Sequence, residues 1–284
     1  RAFWTAYDTG LRHGHLNGLS IGLFARGLDL LPDFGYLPVH RGVWYGPHVD
    51  WYKGTAAHNT VLVDGKNQEQ PIAGETQVWE SDGTVQTIKV SAPAMYGVPR
   101  YDRTCVMVNI DAEHFYIVDV FDVEGGQDHT FFLRGPESVL TTQKLDLVEC
   151  DPFGHGTLMQ SHQVSEGLAS GWSATWRHVD ASVSVRYTGL SDGMSVGTAE
   201  SWVSEGKWTY DDLWIPTVMV RHQGAEPLTS RFVGVIDVFG EQPAVTAVER
   251  KKQDGGSAIQ VSLASGECNS IYIDDDGVRV ERIQ

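Results

Sequence analysis

The chain has 284 residues, enough for one large or two small domains, and its 41% hydrophobic and 20% charged residues are typical of a folded protein. A formal net charge of −16 argues against a nucleic-acid partner, because phosphate binding requires a basic surface. No apolar run reaches about 18 residues, which excludes a membrane-spanning helix, and three widely spaced cysteines exclude a disulfide framework.

Short β-strands are predicted near the start of the chain. Residues 2–7 are rich in aromatic side chains, and residues 19–25 and 28–31 are short apolar segments bounded by glycines and a proline. Residues 36–57 show no periodic element and contain several aromatic and basic side chains. A segment of this kind inside a compact domain is usually either functional or disordered, and its aromatic content favours function.

From residue 58 onwards, strand signals recur about every 8–12 residues and are separated by turns rich in Gly, Asp and Asn. No segment shows a clear helical period. We therefore predict an all-β fold, with a large antiparallel β-sandwich (a supersandwich) followed by a smaller β-sandwich. We place the first domain at residues 1–205 and the second at residues 206–284.

Three histidines and one aspartate stand out in the first domain. His13 and His15 flank Gly14, and side chains at positions i and i+2 of an extended chain point to the same face. His15, Asp33 and His58 supply two imidazoles and a carboxylate, a donor set that suits a zinc-like ion with water or another group as fourth ligand. The alternative is that His13 and His15 are half-buried side chains whose nitrogens bind backbone groups.

Two known metal-binding patterns fit this segment poorly. A metallo-β-lactamase-like HxHxDH motif requires Asp and His after Leu16, where the chain has Asn17 and Gly18. A cupin site would have a glutamate close to Leu19 and Ser20, and none is present there. A cupin-like metal enzyme remains as an alternative reading.

The order of the motifs resembles the start of the C-terminal β-domain of heparinase II/III-type polysaccharide lyases, a superfamily that includes heparinases and alginate and oligoalginate lyases. The matching residues are HGH at 13–15, DFG at 33–35, and AHNTV at 57–61, which runs into VDG at 63–65. The match is close over roughly residues 1–70 and looser in the later strands.

The resemblance implies roles for individual residues. His15, Asp33 and His58 would bind one zinc-like divalent ion that is mainly structural, and His13 would face the substrate and take part in proton transfer or charge stabilisation. Many family members carry Asp two residues after the HxH pair, whereas this chain has Asn17. Asn can orient a histidine, but it lacks the charge that raises imidazole basicity.

Substrate binding is expected in the loop that follows the metal-binding aspartate. A tyrosine of this loop would face the substrate, cations would bind its carboxylate, and an indole would stack on sugar. The candidates are Tyr36, Arg41, Trp44, Tyr45, Tyr52 and Lys53.

The implied reaction is β-elimination on a uronic-acid-containing polysaccharide or oligosaccharide. A base removes the proton at C5, an acid protonates the leaving oxygen at C4, and the product carries a 4,5-unsaturated uronate end. The family also carries an N-terminal α/α toroid, which this chain lacks. The chain is therefore expected to be the C-terminal part of a larger lyase, with the toroid region of the same protein and an acidic glycan as partners, in the periplasm or outside the cell.

A second class of function stays open beside the enzyme. The chain would then be a non-catalytic glycan-binding or scaffolding module that presents Trp44, Trp51 and neighbouring aromatic residues to sugar. Glycan affinity that survives the loss of His13 would distinguish this module from a lyase.

Overall fold

The computed structural model describes residues 1–10, 14–33, 35, 45–152, 156–168, 170–204, 212–253, 256–274 and 277–283. Most of these residues lie in β-strands, with one seven-residue helix among them. The strands are β1 (Ala2–Thr5), β2 (Asp8–Thr9), β3 (Ile21–Ala25), β4 (Leu28–Leu31), β5 (Val61–Val63), β6 (Ile72–Ala73), β7 (Glu75–Ser81), β8 (Val85–Ser91), β9 (Arg100–Asn109), β10 (Phe115–Glu124), β11 (Asp128–Arg134), β12 (Ser138–Gln143), β13 (Val148–Glu149), β14 (Met159–Leu168), β15 (Trp172–His178), β16 (Ser184–Gly189), β17 (Met194–Ser204), β18 (Asp212–Gln223), β19 (Thr229–Phe239), β20 (Val245–Gln253), β21 (Gly256–Leu263), β22 (Cys268–Ile273) and β23 (Val278–Ile283). The helix α1 is Pro47–Lys53, and 3₁₀ turns occupy Thr55–Ala57 and Pro93–Met95.

Two large antiparallel sheets form the body of the described structure. One has eight strands in the order β12-β15-β16-β19-β10-β9-β8-β7, and the other has six in the order β13-β14-β17-β18-β11-β5. Smaller sheets are formed by β1-β3-β4, by β2-β6 and by β20-β21-β22-β23. The predicted all-β sandwich architecture is confirmed.

Side chains of the central strands are buried on both faces of the sheets. In β11, Phe131 and Leu133 face the main core, whereas Phe132 faces a second cluster that includes Trp51 and Tyr52. Helix α1 therefore covers the outer face of the six-stranded sheet. Burial on both faces explains why some strands have apolar residues at consecutive positions, such as residues 115–118 of β10 and 131–133 of β11.

The four-stranded sheet packs on the outer face of the eight-stranded sheet. Val118 and Val120 of β10 share an apolar cluster with Val261 and Ile271. Strand β18 belongs to the six-stranded sheet and β19 to the eight-stranded sheet, whereas all strands after β19 belong to the four-stranded sheet. The predicted domain division between residues 205 and 206 falls outside the described residues and stays a prediction.

Helix α1 and strands β7, β12 and β14 were not predicted, and neither were the two-residue strands β2, β6 and β13. β7 is an edge strand with little burial on either face, so it lacks the apolar alternation of a half-buried strand. β12 places exposed Val139 beside half-buried Leu140, and β14 contains register shifts around Gln160 and Gln163. Within the described residues, no helix has the length and apolar character needed to cross a membrane.

Two glycines make room for aromatic rings inside the main core. Gly189 of β16 pairs with Gly234 of β19. A Cβ atom on Gly189 would lie 2.2 Å from the indole of Trp172, and one on Gly234 would lie 2.2 Å from the ring of Tyr187. Both rings are buried, with centroids 5.5 Å apart, so neither can move without disturbing the other.

Gly189→Ala is expected to lower the free energy of unfolding by about 1–3 kcal/mol, because the new methyl group overpacks a filled core. Urea denaturation measures this loss. Gly240→Ala is the matched control, since its added Cβ would meet its nearest neighbour at 3.5 Å, an ordinary contact. Equal losses in the two variants would contradict the packing account.

Candidate metal centre

The structure brings His15, Asp33 and His58 together from three separate segments. One potential ligand atom from each residue lies within 4.8 Å of the others. Nδ1 of His58 is 3.1 Å from Oδ1 of Asp33, and the rings of His15 and His58 have centroids 5.2 Å apart. The predicted ligands are therefore neighbours in space, and their binding of a metal stays a prediction.

Within the described residues, one nitrogen of the His58 imidazole has no hydrogen-bond partner. His58 is 2% exposed, and among the described residues its buried Nε2 has no hydrogen-bond partner. A buried polar nitrogen in this state costs free energy unless a ligand uses its lone pair. Two imidazoles and one carboxylate form a donor set that zinc accepts. The residues present therefore fit a zinc-like ion.

The protonation states at neutral pH suit metal binding. Burial lowers the pKa of His15 to about 4, with nearby His58 and Lys53 acting in the same direction and Asp33 opposing them. Burial would raise the pKa of Asp33, but the charge of His58 and hydrogen bonds from His58 and Asn17 bring it down to about 2. His15 is thus neutral and Asp33 ionised, as ligands of a metal must be.

Asn17 orients the carboxylate of Asp33. Its Nδ2 donates a hydrogen bond of 3.1 Å to Oδ2 of Asp33, while Oδ1 of the same carboxylate faces His58. Asn17 occupies the position where many relatives were expected to carry Asp. An aspartate here would repel Asp33, whereas the amide donates to it.

Asn59 ties the backbone beside His58 to two different sheets. Its Nδ2 donates to the carbonyl of Ile21 at 3.1 Å, and its Oδ1 accepts the backbone N–H of Arg134 at 2.8 Å. Its own backbone N–H donates to Oγ of Ser20 at 3.1 Å. These bonds hold His58 close to the segment that carries His15.

Two close approaches require glycine in that segment. A Cβ atom on Gly14 would lie 2.2 Å from Cα of Gly10, so only glycine allows this close contact between the two backbones. Gly18 bonds through its N–H and its carbonyl to the side-chain amide of buried Gln68, at 2.7 and 2.9 Å. A Cβ atom on Gly18 would meet Sδ of Met95 at 2.3 Å.

Of the other predicted site residues, the structure describes three, and the rest lie outside the described residues. Tyr45 is 88% exposed at the start of α1, and Lys53 is half-buried at its end. Tyr52 is 5% exposed, and its hydroxyl accepts the backbone N–H of Ser204 at 3.0 Å. The predicted roles of all three in substrate binding stay predictions. The remaining candidates lie outside the described residues: His13, Tyr36, Arg41 and Trp44.

Sequence reasoning missed the two buried arginines that hold the site segments. Arg103 donates through Nη1 to the carbonyls of Leu19 and Asn59, each at 2.6 Å, and pairs with Asp119. Arg134 donates to the carbonyls of Ala56 and His58. The signal in the sequence is weak, because Arg103 lies in a strand that also carries Arg100 and Asp102, and Arg134 is the last residue of β11.

The chain is similar to known proteins in both sequence and fold. A family model described as "Heparinase II/III-like, C-terminal" matches residues 5–208. A heparin-sulfate lyase of Bacteroides stercoris is 26% identical over 183 residues, which cover 62% of this chain and 25% of that protein. An exo-oligoalginate lyase of Saccharophagus degradans is 27% identical over 141 residues, which cover 44% of this chain and 19% of that protein.

Solved structures show the same fold. A heparan sulfate lyase from Pedobacter heparinus superposes with a TM-score of 0.65 at 15% identity, over 97% of this chain and 38% of that one. A heparinase III superposes with a TM-score of 0.64 at 17% identity, over 98% of this chain and 38% of that one. The chain thus spans well under half the length of the relatives it matches.

Proposed function

The chain belongs to the heparinase II/III-like family through its C-terminal domain, and we propose that it is the C-terminal part of a polysaccharide lyase. The proposed substrate is a uronic-acid-containing polysaccharide or oligosaccharide of the alginate or glycosaminoglycan type. The proposed reaction is β-elimination, which leaves a 4,5-unsaturated uronate end. The observation that carries this proposal is the convergence of His15, Asp33 and His58, the predicted metal ligands of such a lyase.

The reaction requires two proton transfers and the stabilisation of negative charge. The C5 proton is weakly acidic, so the neighbouring carboxylate must be neutralised as charge develops on it in the transition state. An imidazole titrates near neutrality and is suited to proton transfer at this pH. We assign a part in this work to His13, which directly precedes Gly14 and His15 in the chain.

The metal would be held by His15, Asp33 and His58 and would have a mainly structural part. Bound there, a zinc-like ion would supply a cross-link between three segments of the chain and a positive charge beside the site. The hydrogen bond from Asn17 would hold the carboxylate of Asp33 in place for the ion.

Local positive charge is needed because the protein as a whole is acidic. A net charge of −16 repels an anionic polymer at long range, so binding requires cations close to the reacting sugar. Lys53 is close enough to the centre to lower the pKa of His15. We propose that Lys53 and Arg41 bind substrate carboxylates.

The proposal also implies a partner and a location. The relatives are much longer than this chain, and we propose that a helical toroid region of the same protein completes the active site. A periplasmic or extracellular location follows as part of the same proposal, because polymeric uronates are met outside the cytoplasm.

His13→Ala is expected to reduce elimination at least about 100-fold, the usual contribution of a positioned acid or base. The variant is made in a polypeptide that carries this chain together with the helical region. The ultraviolet absorbance of the unsaturated uronate is followed on alginate, heparan sulfate and their oligosaccharides.

The control for this variant is His114→Ala, which removes a partly exposed histidine that contacts Asp111 in a turn. It should leave turnover unchanged. Normal turnover in the His13 variant would show that the assigned role is wrong. Glycan binding without cleavage in the unaltered protein would instead support the binding-module alternative.

A further inference from the structure

We propose that Arg134 is a positioning residue for His58, the most buried of the three predicted metal ligands. This inference rests on the proposed metal-binding role of the centre. It assigns to Arg134 the task of fixing the backbone, and with it the imidazole, in the direction that ligation requires.

Arg134 is a buried cation whose hydrogen-bond partners among the described residues are all neutral. It is 1% exposed, and its Nη1 and Nε donate to the carbonyl of His58 at 3.1 Å and to Oγ of Ser201 at 3.2 Å. Its Nη2 donates to the carbonyl of Ala56. In the part of the chain that the structure describes, no ion pair involves Arg134. A charge buried in this way is costly unless several strong hydrogen bonds offset the loss of water.

Arg103 provides the contrast. It is equally buried and also donates to backbone carbonyls near the centre, but Asp119 neutralises its charge through two hydrogen bonds of 2.8 and 2.6 Å. Burial lowers the pKa of Arg134 to about 9, and the charge of Asp33 acts in the opposite direction. Arg134 is therefore charged at neutral pH, with no acid of the described residues paired to it. If this position served only the packing of the strands, an apolar residue would do equally well there.

The contacts of Arg134 are concentrated on one short turn. The guanidinium binds the carbonyls of Ala56 and His58, and the backbone N–H of Arg134 donates to Oδ1 of Asn59. These bonds fix the peptide group that follows His58 and the one between Ala56 and Ala57. The rings of Trp51 and Phe132 lie with centroids 5.5 Å from the guanidinium carbon and limit its movement. A planar fork of donors can hold two carbonyls at once, which a single ammonium group does less well.

The contribution of Arg134 is geometric rather than electrostatic. A positive charge near a cation site opposes metal binding, so the charge by itself would weaken affinity. The benefit must then come from holding the imidazole of His58 beside His15 and Asp33. Groups that orient metal ligands typically change metal affinity by about 10- to 100-fold when they are removed.

The test compares zinc affinity and stability in the purified chain. Arg134→Met removes the fork and the charge, and Arg134→Lys keeps the charge but not the fork. Both are expected to bind zinc about 10- to 100-fold more weakly than the unaltered chain, measured by competition with a chromophoric chelator. The absorption spectrum of bound Co²⁺ should change as well, since it reports ligand geometry.

Gly189→Ala serves as the control for general loss of stability, because it perturbs the core under the eight-stranded sheet. It should bind zinc with unaltered affinity even though it melts earlier. If the Arg134 variants melt earlier and keep unaltered zinc affinity and Co²⁺ spectrum, the positioning role is overturned.

Two further outcomes separate this inference from the proposed function. If Arg134→Met does not fold, Arg134→Lys decides alone, and unaltered affinity in it overturns the inference. If the unaltered chain binds no zinc and no Co²⁺, the proposed metal centre itself is overturned, and the inference falls with it.

Discussion

Arg103→Met is expected to lower the free energy of unfolding by about 3–5 kcal/mol. Arg103 and Asp119 are each 2% exposed and form a two-bond ion pair inside the sandwich. Removal of the guanidinium leaves the carboxylate of Asp119 buried without a counter-charge. It also leaves the carbonyls of Leu19 and Asn59 without the donor that joins them. Equilibrium denaturation by urea or guanidinium measures the effect.

Arg177→Met is the matched control for this variant, because Arg177 is exposed on β15. It should change the free energy of unfolding by no more than about 0.5 kcal/mol. The double variant Arg103→Met and Asp119→Leu should recover part of the loss, since no charge then remains buried. A loss below about 1 kcal/mol in Arg103→Met would contradict the structural role of the ion pair, because breaking a buried pair costs several times more.

The purified chain is expected to hold about one zinc-like ion, and His15→Ala is expected to lose it. Because the ligands come from three segments, the bound ion should stabilise the folded state. A free metal concentration about 1,000 times the Kd adds about 4 kcal/mol. Chelation should therefore lower the melting temperature of the unaltered chain and leave that of His15→Ala unchanged. Elemental analysis and thermal denaturation with and without chelator measure both effects.

His178→Ala provides the control for the metal measurement. His178 lies at the end of β15, where its Nδ1 accepts the backbone N–H of Asp180, and it has no part in the centre. This variant should keep both the ion and the response to chelator. If the unaltered chain and both variants contain no metal, the prediction that His15, Asp33 and His58 bind an ion is wrong.

The all-β fold could be predicted because the strands are apolar on both faces and turn residues separate them. Helix α1 could not, since seven residues are too few to show a helical period. Its stability comes from packing of Trp51 and Tyr52 on the six-stranded sheet. Pro47 at its first turn and Gly54 after its last residue are the local boundary signals that could have found it.

The ligand set of the candidate centre could be proposed from donor types and motif order. The groups that hold it could not, because their contacts join residues far apart in the chain. Arg103 reaches Leu19 across 84 positions, and Arg134 reaches His58 across 76. Gln68 similarly bonds Gly18 across 50 positions. A single sequence contains no mark of such pairings.

The turn that carries His58 is bonded to both layers of the sandwich. The carbonyl of His58 accepts from Arg134 of β11, that of Asn59 accepts from Arg103 of β9, and that of Thr60 accepts from Phe132 of β11. Three consecutive carbonyls thus accept hydrogen bonds, the first and third from the six-stranded sheet and the second from the eight-stranded sheet. Opening of this turn breaks hydrogen bonds to both layers, so we expect it to be rarer than the opening of a turn bonded to one sheet. The backbone on which the His58 imidazole is mounted should therefore be among the parts of the molecule that exchange their amide hydrogens slowly.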